Sequence, residues 1–405
     1  MTGTWLVGLL FVGTALGAGD WPQWRGPARD GRAALPAVAR WPRALARGWK
    51  ATVGLGHASP VVAGDRVYVF AREGPDEVAS AFDLETGRRL WRQAYAAPYT
   101  MNHAAVSHGP GPKATPVAAG GRLYTFGISG IASCFDAGTG AVIWQRTFKE
   151  HRAGAPDYGA AASPLVDGGR VILNVGGPGD GSLQSLDAAT GATRWAWKGD
   201  GPGYASPVVA ELDGVRQLVV QTQGQIAGVD AASGAPLWTL PLRTPYDQNA
   251  ITAVVANGVV VYSGLDQGVH AVRPRRQAAR WTAEEVWKND EVSLYMSPPV
   301  LDGTRLFAFS HRKKGEFVCL DAATGRLLWR SEGRQGENAA LVVVGRHLLA
   351  LKDDAELLVL EMDAPGFTPV ATYTVADGAT WAHPVPTARG LLVKDVDSLA
   401  LLRLE

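Results

Sequence analysis

CLDAATGRLLWR, residues 319–330, is one of five near-copies of a single phrase. AFDLETGRRLW ends at Trp91, CFDAGTGAVIW at Trp144, SLDAATGATRW at Trp195 and GVDAASGAPLW at Trp238. All fit Asp-x-x-(Thr/Ser)-Gly-x-x-x-Trp, anchored on Asp83, Asp136, Asp187, Asp230 and Asp321. Within the phrase, the Asp and Thr side chains can bond local amides and the Gly can take a positive φ, so each copy is a tight turn leading into a strand that ends on Trp. Recurrence at a period of roughly 40–50 residues marks a solenoid, an array or a propeller, and it decides the domain count.

Upstream of the turns the repeat is equally regular. SPVVAGDRVYVF from Ser59, TPVAAGGRLYTF from Thr115, SPLVDGGRVILN from Ser163 and SPPVLDGTRLFAF from Ser297 each pair two apolar segments across a Gly-containing turn, which is a hairpin. A third strand, such as FVCL before Asp321, precedes the Asp turn. A four-stranded antiparallel unit cannot bury both faces alone, whereas radial stacking of such units does. Hairpins start at Ser59, Thr115, Ser163, Ser206, Thr252, Ser297, Ala340 and His383, giving eight units. Fourth strands follow at Trp91, Trp144, Trp195, Trp238, Trp287, Trp329 and Tyr373, and the chain stops after a third strand, LALLRL. Trp49, in RGWKATV, supplies the missing one, removing the free edges of an open array. The expected fold is all-β: an eight-bladed β-propeller closed by an N-terminal strand, a single domain over residues 47–405. Seven blades would result only if the fifth unit, which lacks the turn motif, or the seventh were something else.

Composition agrees. Gly occupies 49 of 405 positions, about 12% against a usual level of about 7%, and there are 14 Trp, which suits tight turns beside bulky packing residues. The formal charge is +1 with no long run of one sign, which argues against nucleic acid or an anionic membrane surface as partner. Residues 5–16, WLVGLLFVGTAL, are too short to cross a bilayer and precede the small residues Gly17, Ala18 and Gly19. They read as a secretory signal spanning residues 1–18, although the segment before them has no Lys or Arg, and residues 19–46 then form an N-terminal extension. A periplasmic or secreted monomer is expected, with no transmembrane segment after signal removal. Cys134 and Cys319 hold equivalent slots two residues before the repeat Asp on units four apart, too far to bond, and are expected as buried free thiols.

The Asp-x-x-Thr-Gly-x-x-x-Trp turn, with Ser-Pro opening each unit, resembles the pyrroloquinoline-quinone-type (PQQ-like) propeller repeat over about residues 47–405. The opening DWPQWRGPARDGR, residues 20–32, resembles the start of many exported PQQ-like repeat proteins. The resemblance implies that each repeat Trp docks between neighbouring blades: Trp49, Trp91, Trp144, Trp195, Trp238, Trp287 and Trp329. It leaves activity open, because such propellers range from quinoprotein dehydrogenases, which bind PQQ and calcium in the central funnel, to the scaffold lipoprotein of outer-membrane β-barrel assembly. The dehydrogenases need an adjacent Cys-Cys pair, a calcium site of Glu, Asn and Asp, and a catalytic Asp. This chain has no Cys-Cys and no segment matching that set, with only Asn249 and Glu337 as isolated candidates, and no Cys-x-x-Cys-His for haem.

Topology locates a binding surface independently. Residues just before each innermost strand line the funnel mouth; two positions before the hairpin starts lie His57, Lys113, Ala161, Tyr204, Ala250, Tyr295, Asn338 and Trp381. Six of these eight can hydrogen-bond or stack, so His57, Lys113, Tyr204, Tyr295, Asn338 and Trp381 are the candidate ligand-binding residues, for a polar or aromatic ligand. The longest inter-blade loops carry MNHAAVSHGPGPK and KEHRAGAPDYG, adding His103, His108 and His151 as loop candidates. Their spacing has no metal-ligand logic, so no metal is expected. The sequence therefore points to a non-catalytic binding or scaffold protein with an envelope-protein partner or a small ligand, and no cofactor. The alternatives are a PQQ-dependent quinoprotein oxidoreductase with calcium, and carbohydrate or peptide capture at the aromatic rim.

Overall fold

The computed structural model describes residues 17, 19–148, 150–151, 158–177, 179–278 and 280–404; the expected signal segment, residues 1–16 and 18, lies outside them, as does part of the second long loop. Eight sheets form a ring of blades. Blade 1 runs outward from the axis as Val61–Ala63, Arg66–Glu73, Asp76–Asp83 and Arg89–Ala96, all antiparallel. The fifth unit is a regular blade despite its missing motif, with longer third and fourth strands, Val269–Gln277 and Arg280–Asn289. The last blade takes its outer strand from the N-terminal side: Ala46–Thr52 pairs antiparallel with Ser398–Arg403, Trp49 opposite Leu401. The ring is thus closed as expected, and its apolar clusters lie between neighbouring blades, as where Tyr124 and Phe126 of blade 2 meet Val171 and Leu173 of blade 3.

The motif is a clasp between blades. In every copy the Asp carboxylate accepts from the backbone amide and the hydroxyl of the Thr or Ser three residues on, as in Thr86 N–H and Oγ1–H to Asp83 at 2.8 and 2.6 Å. These bonds hold the Asp83, Asp136, Asp230 and Asp321 carboxyls below the usual range and bring Asp187, beside Arg194, to about 2. The Gly at positive φ leaves a bare backbone surface on which the Trp of the preceding blade lies: Trp49 on Gly87, Trp91 on Gly140, Trp144 on Gly191, Trp195 on Gly234 and Trp287 on Gly325. Four of these indoles also donate to the residue after the Asp: Trp49 to Leu84 O, Trp91 to Ala137 O, Trp144 to Ala188 O and Trp287 to Ala322 O, at 3.0–3.1 Å. In the first two blades the Arg of the hairpin's Gly-x-Arg reinforces the same carbonyls, Arg66 on Ala137 and Arg122 on Ala188. Trp238 and Trp329 depart because the next blade lacks the Asp-x-x-Thr-Gly turn. Trp238 donates to Gln217 of its own blade, and Trp329 packs with Phe307 and Phe367.

The Ser-Pro and Thr-Pro openings form a second set of inter-blade links. Each Ser or Thr hydroxyl accepts the backbone amide of the preceding blade's opening residue: His383 to Ser59, Ser59 to Thr115, Thr115 to Ser163, Ser163 to Ser206 and Ser206 to Thr252, at 2.9–3.3 Å. Toward blade 7 the direction reverses, Ala339 N–H donating to Ser297.

Residues 19–33 run across the axis on the face opposite the hairpin openings. Innermost strands carry unpaired backbone edges toward the axis, and this segment pairs with them. Trp21 bridges Val62 of blade 1 through two backbone bonds of 2.9 Å, Ala118 N–H donates to Pro22 O, and Arg32–Ala33 lies parallel to Ala339–Val344 of blade 7. Arg25 and Arg29 are buried at 1% and 4% exposure and donate to backbone carbonyls of opposite blades, Pro299 for one, Ser163 and Pro164 for the other. Desolvation lowers Arg25 to about 10 against the opposing pull of Asp30, and Arg29 to about 9 with repulsion from Arg25 adding to it. The N-terminal extension is therefore the plug of the channel.

Candidate functional site

The plug turns the axial channel into a blind funnel of about 190 Å3, open on the face of the hairpin openings. All eight positions two residues before the hairpin starts line it: His57, Lys113, Ala161, Tyr204, Ala250, Tyr295, Asn338 and Trp381. They converge because each lies at the entrance to an innermost strand, at most a few residues before it, and eight such strands surround one axis. The inter-blade hydroxyls Ser163, Ser206 and Thr252 form a collar below them. Trp24 is the floor: its indole N–H donates to Thr252 Oγ1 at 3.1 Å, and its ring lies 4.4 Å from the His383 imidazole.

One wall is an aromatic cluster. Trp381 stands 5.1 Å from His108 and 5.9 Å from His57, and His57 Nε2 lies 2.9 Å from His108 O. Desolvation brings His57 to about 4, with Lys394 and Lys113 adding repulsion, and lowers His108 as well. At neutral pH these imidazoles are uncharged. Lys113 Nζ donates to Tyr158 O at 2.7 Å, and burial alone pulls its ammonium down to about 8. The opposite wall carries Tyr158 edge-on to Tyr204 at 5.6 Å and Tyr295, whose hydroxyl donates to Gln248 Oε1. Asn338 Oδ1 accepts from Ser297 Oγ at 2.5 Å.

Of the loop histidines, only His108 reaches the funnel. His103 is exposed at the start of the short 3-10 turn His103–His108. His151 packs against Phe126 and Gly130 and accepts the Gly176 amide through Nδ1, so the three loop histidines lie in separate places. Trp24, Tyr158, Gln248 and Met296 are lining residues that the sequence reading did not single out, and His383 joins them. His383 was legible as a hairpin start, and Trp24 as one of three aromatic or basic residues in WPQWR. Their inward direction was not.

The donor set does not fit calcium or the quinone chemistry that the fold family carries. No Asp or Glu is among the lining residues, and no group of three or more His, Cys, Asp or Glu among the described residues is placed to hold a metal. Asn249 is fully buried with its amide spent on Thr222, Gln223 and Leu242 carbonyls, and Glu337 is exposed outside the lining. Cys134 and Cys319 are buried and free in different blades, desolvation raising them to about 11 and about 12.

Comparison with known proteins gives two functional classes on one architecture. A family model described as outer membrane protein assembly factor BamB matches residues 40–102, 75–329 and 282–365. The factor of that name from Burkholderia pseudomallei is 27% identical over 76% of this chain and 85% of its own length. A polyvinylalcohol dehydrogenase from a Sphingopyxis species is 25% identical over 62% of this chain and 50% of its own. Among solved structures, BamB from Moraxella catarrhalis superposes with a TM-score of 0.63 at 17% identity, covering 89% of this chain and 97% of that one, a likeness of fold alone.

Proposed function

The chain belongs to the outer membrane protein assembly factor BamB family, and on that premise we propose that it is an exported, non-catalytic binding or scaffold propeller of the cell envelope. The observation that carries this reading is the funnel itself: eight equivalent positions, six of them filled with stacking or hydrogen-bonding side chains, around a blind pocket that holds no carboxylate. Such a lining suits recognition, whereas oxidising an alcohol needs a base for the hydroxyl proton and an acceptor for the hydride, in the resembled dehydrogenases a quinone held beside calcium. The long loops after blades 1 and 2 open on the same face and extend the surface available to a partner. By kinship with its relatives, that partner is an envelope protein engaged in outer-membrane protein assembly. Residues 1–18 act as the export signal in this reading, and no helix among the described residues is long and apolar enough to cross a membrane.

The test is co-purification from the native envelope fraction, wild type beside Tyr204→Ala/Tyr295→Ala/Trp381→Ala. A partner retained by wild type and lost by the triple variant is expected; an unchanged partner set removes the funnel from the interaction. Adding PQQ with calcium to the purified protein is expected to leave the melting temperature unmoved, since only a ligand that favours the native state raises it. A saturable rise would favour the dehydrogenase alternative.

A further inference from the structure

The funnel's electrostatics and its rim point to the chemistry of its occupant. We propose that the mouth is a docking surface for an extended acidic peptide, which lies across apolar rim residues and inserts one carboxylate into the funnel against Lys113. This rests on the binding reading above and narrows it to a partner class.

Charge is the first argument. Lys113 has no carboxylate partner among the described residues; its only acceptor is the Tyr158 carbonyl. A second ammonium, Lys394, lies behind the same wall, held by the carbonyls of Gly56, Asp395 and Val396, and both lysines repel a proton from His57. Asp395 and Asp397 act on Lys394 and Glu337 on His108 from outside the lining, so Lys113, with no acid among the lining residues, is the cation left to pair, and a desolvated cation gains most from an anion that completes its pairing. Neutral imidazoles and the Tyr295 and Asn338 side chains supply the remaining hydrogen-bonding groups.

The rim is the second argument. Eight large apolar side chains are exposed among the described residues. Four lie on outer strands: Val142, Ile143, Val286 and Val370. The other four lie in the connecting segments that lead to lining residues or to Lys394. Leu55 precedes His57, Val106 lies in the turn that delivers His108, Tyr246 stands two residues before Gln248, and Val396 caps the Lys394 hairpin. Tyr246 is 79% exposed and, with Asp247, is held at a positive φ of 60° and 53° in consecutive residues, a strained arrangement for non-glycine residues. Tyr is among the residues enriched at the hot spots of protein interfaces.

Size is the third. Pockets for drug-sized ligands hold about 300–1,000 Å3, and this one holds about 190 Å3 with a closed floor. It admits a side chain from a segment that stays outside, and no chain can thread through.

Calorimetry with defined probes tests this on the full protein: an end-blocked Gly/Ser peptide with Leu-Glu-Leu at its centre, the same peptide with Gln for Glu, and free glutarate. The Glu peptide is expected to bind at least about tenfold more tightly than the Gln peptide, a difference of about 1.4 kcal/mol. Lys113→Met should abolish that preference, and Tyr246→Ala should weaken the peptide while leaving glutarate unchanged, with melting temperatures checking each variant's fold. Should Lys113→Met fail to fold, wild type supplies a second readout, because added salt must weaken the Glu probe and spare the Gln probe. Equal affinity for the two peptides overturns the proposal. So does glutarate binding as tightly as the peptide without sensitivity to Tyr246→Ala, which would mark a small-anion site, or no binding of any probe at millimolar concentration. These failures leave the co-purification result standing, whereas an unchanged partner set in the rim triple variant sinks the broader reading instead.

Discussion

Gly140 sits at a φ of +77°, and a Cβ there would lie 2.6 Å from the Trp91 ring. Gly120 has a φ of +57° and open space around it. Gly120→Ala should therefore cost about 1 kcal/mol, the strain of the left-handed region alone. Gly140→Ala adds displacement of an interlocked ring and should cost about 2–4 kcal/mol, both read by denaturant unfolding. The buried histidines act at the same scale. Desolvation holds His57 and His151 at about 4 and His383 at about 3, below the ordinary 6.5. The unfolded chain takes up protons at these positions as pH falls through 6.5, and the folded protein does not. Their contribution to stability is complete above pH 6.5 and is lost as pH falls toward 4, before the motif carboxyls, all lowered from 3.8, begin to matter. Melting temperature should drop over that window, and His151→Gln, which retains an acceptor for the Gly176 amide, should make the drop shallower.

Among the elements, Ala46–Thr52 and the plug both belong to the N-terminal side and do different work. The closing strand joins the ends of the ring, with Trp49 seated on Gly87 and bonded to Leu84 O at 3.0 Å. Trp49→Ala removes a half-buried packed ring and a bond that spans the closure; it should destabilise by about 2–3 kcal/mol, less than the usual cost of truncating a fully buried aromatic, measured by chemical unfolding. The plug saturates inner-strand backbone groups. The amides of Ala118 and Val343 donate to Pro22 O and Gly31 O at 2.8 Å, so loosening the segment by Trp21→Ala should speed hydrogen exchange at these two amides more than at outer strands. Uniform exchange across the blades would show that the segment contributes no edge pairing.

For the molecule as a whole, radial repetition converts local chemistry into a site. The Asp-Thr-Gly-Trp phrase carries its own reason: the Asp makes the turn, the Gly leaves room, and the Trp fills that room from the neighbouring blade. Copies of one phrase therefore made the repeat, the blade count and the N-terminal closure legible, because each depends on contacts within one unit or with the next. The same regularity placed His57, Lys113, Tyr204, Tyr295, Asn338 and Trp381 around one mouth, since equivalent positions in a ring must face one axis. Blade 5 was legible only as a spacing, for its longer strands dispense with the motif. The direction taken by DWPQWRGPARDGR was not legible at all. A segment with no periodicity has no face to assign, and only the ring, once closed, offers the unpaired edges and carbonyls that draw Trp21, Arg25 and Arg29 inward. The sequence by itself determined the repeat, the ring and its mouth. Tertiary structure decided that the channel is blind, that Trp24 is its floor and that Lys113 stands in it without an acid, because burial and pairing across the axis join residues that no local pattern connects.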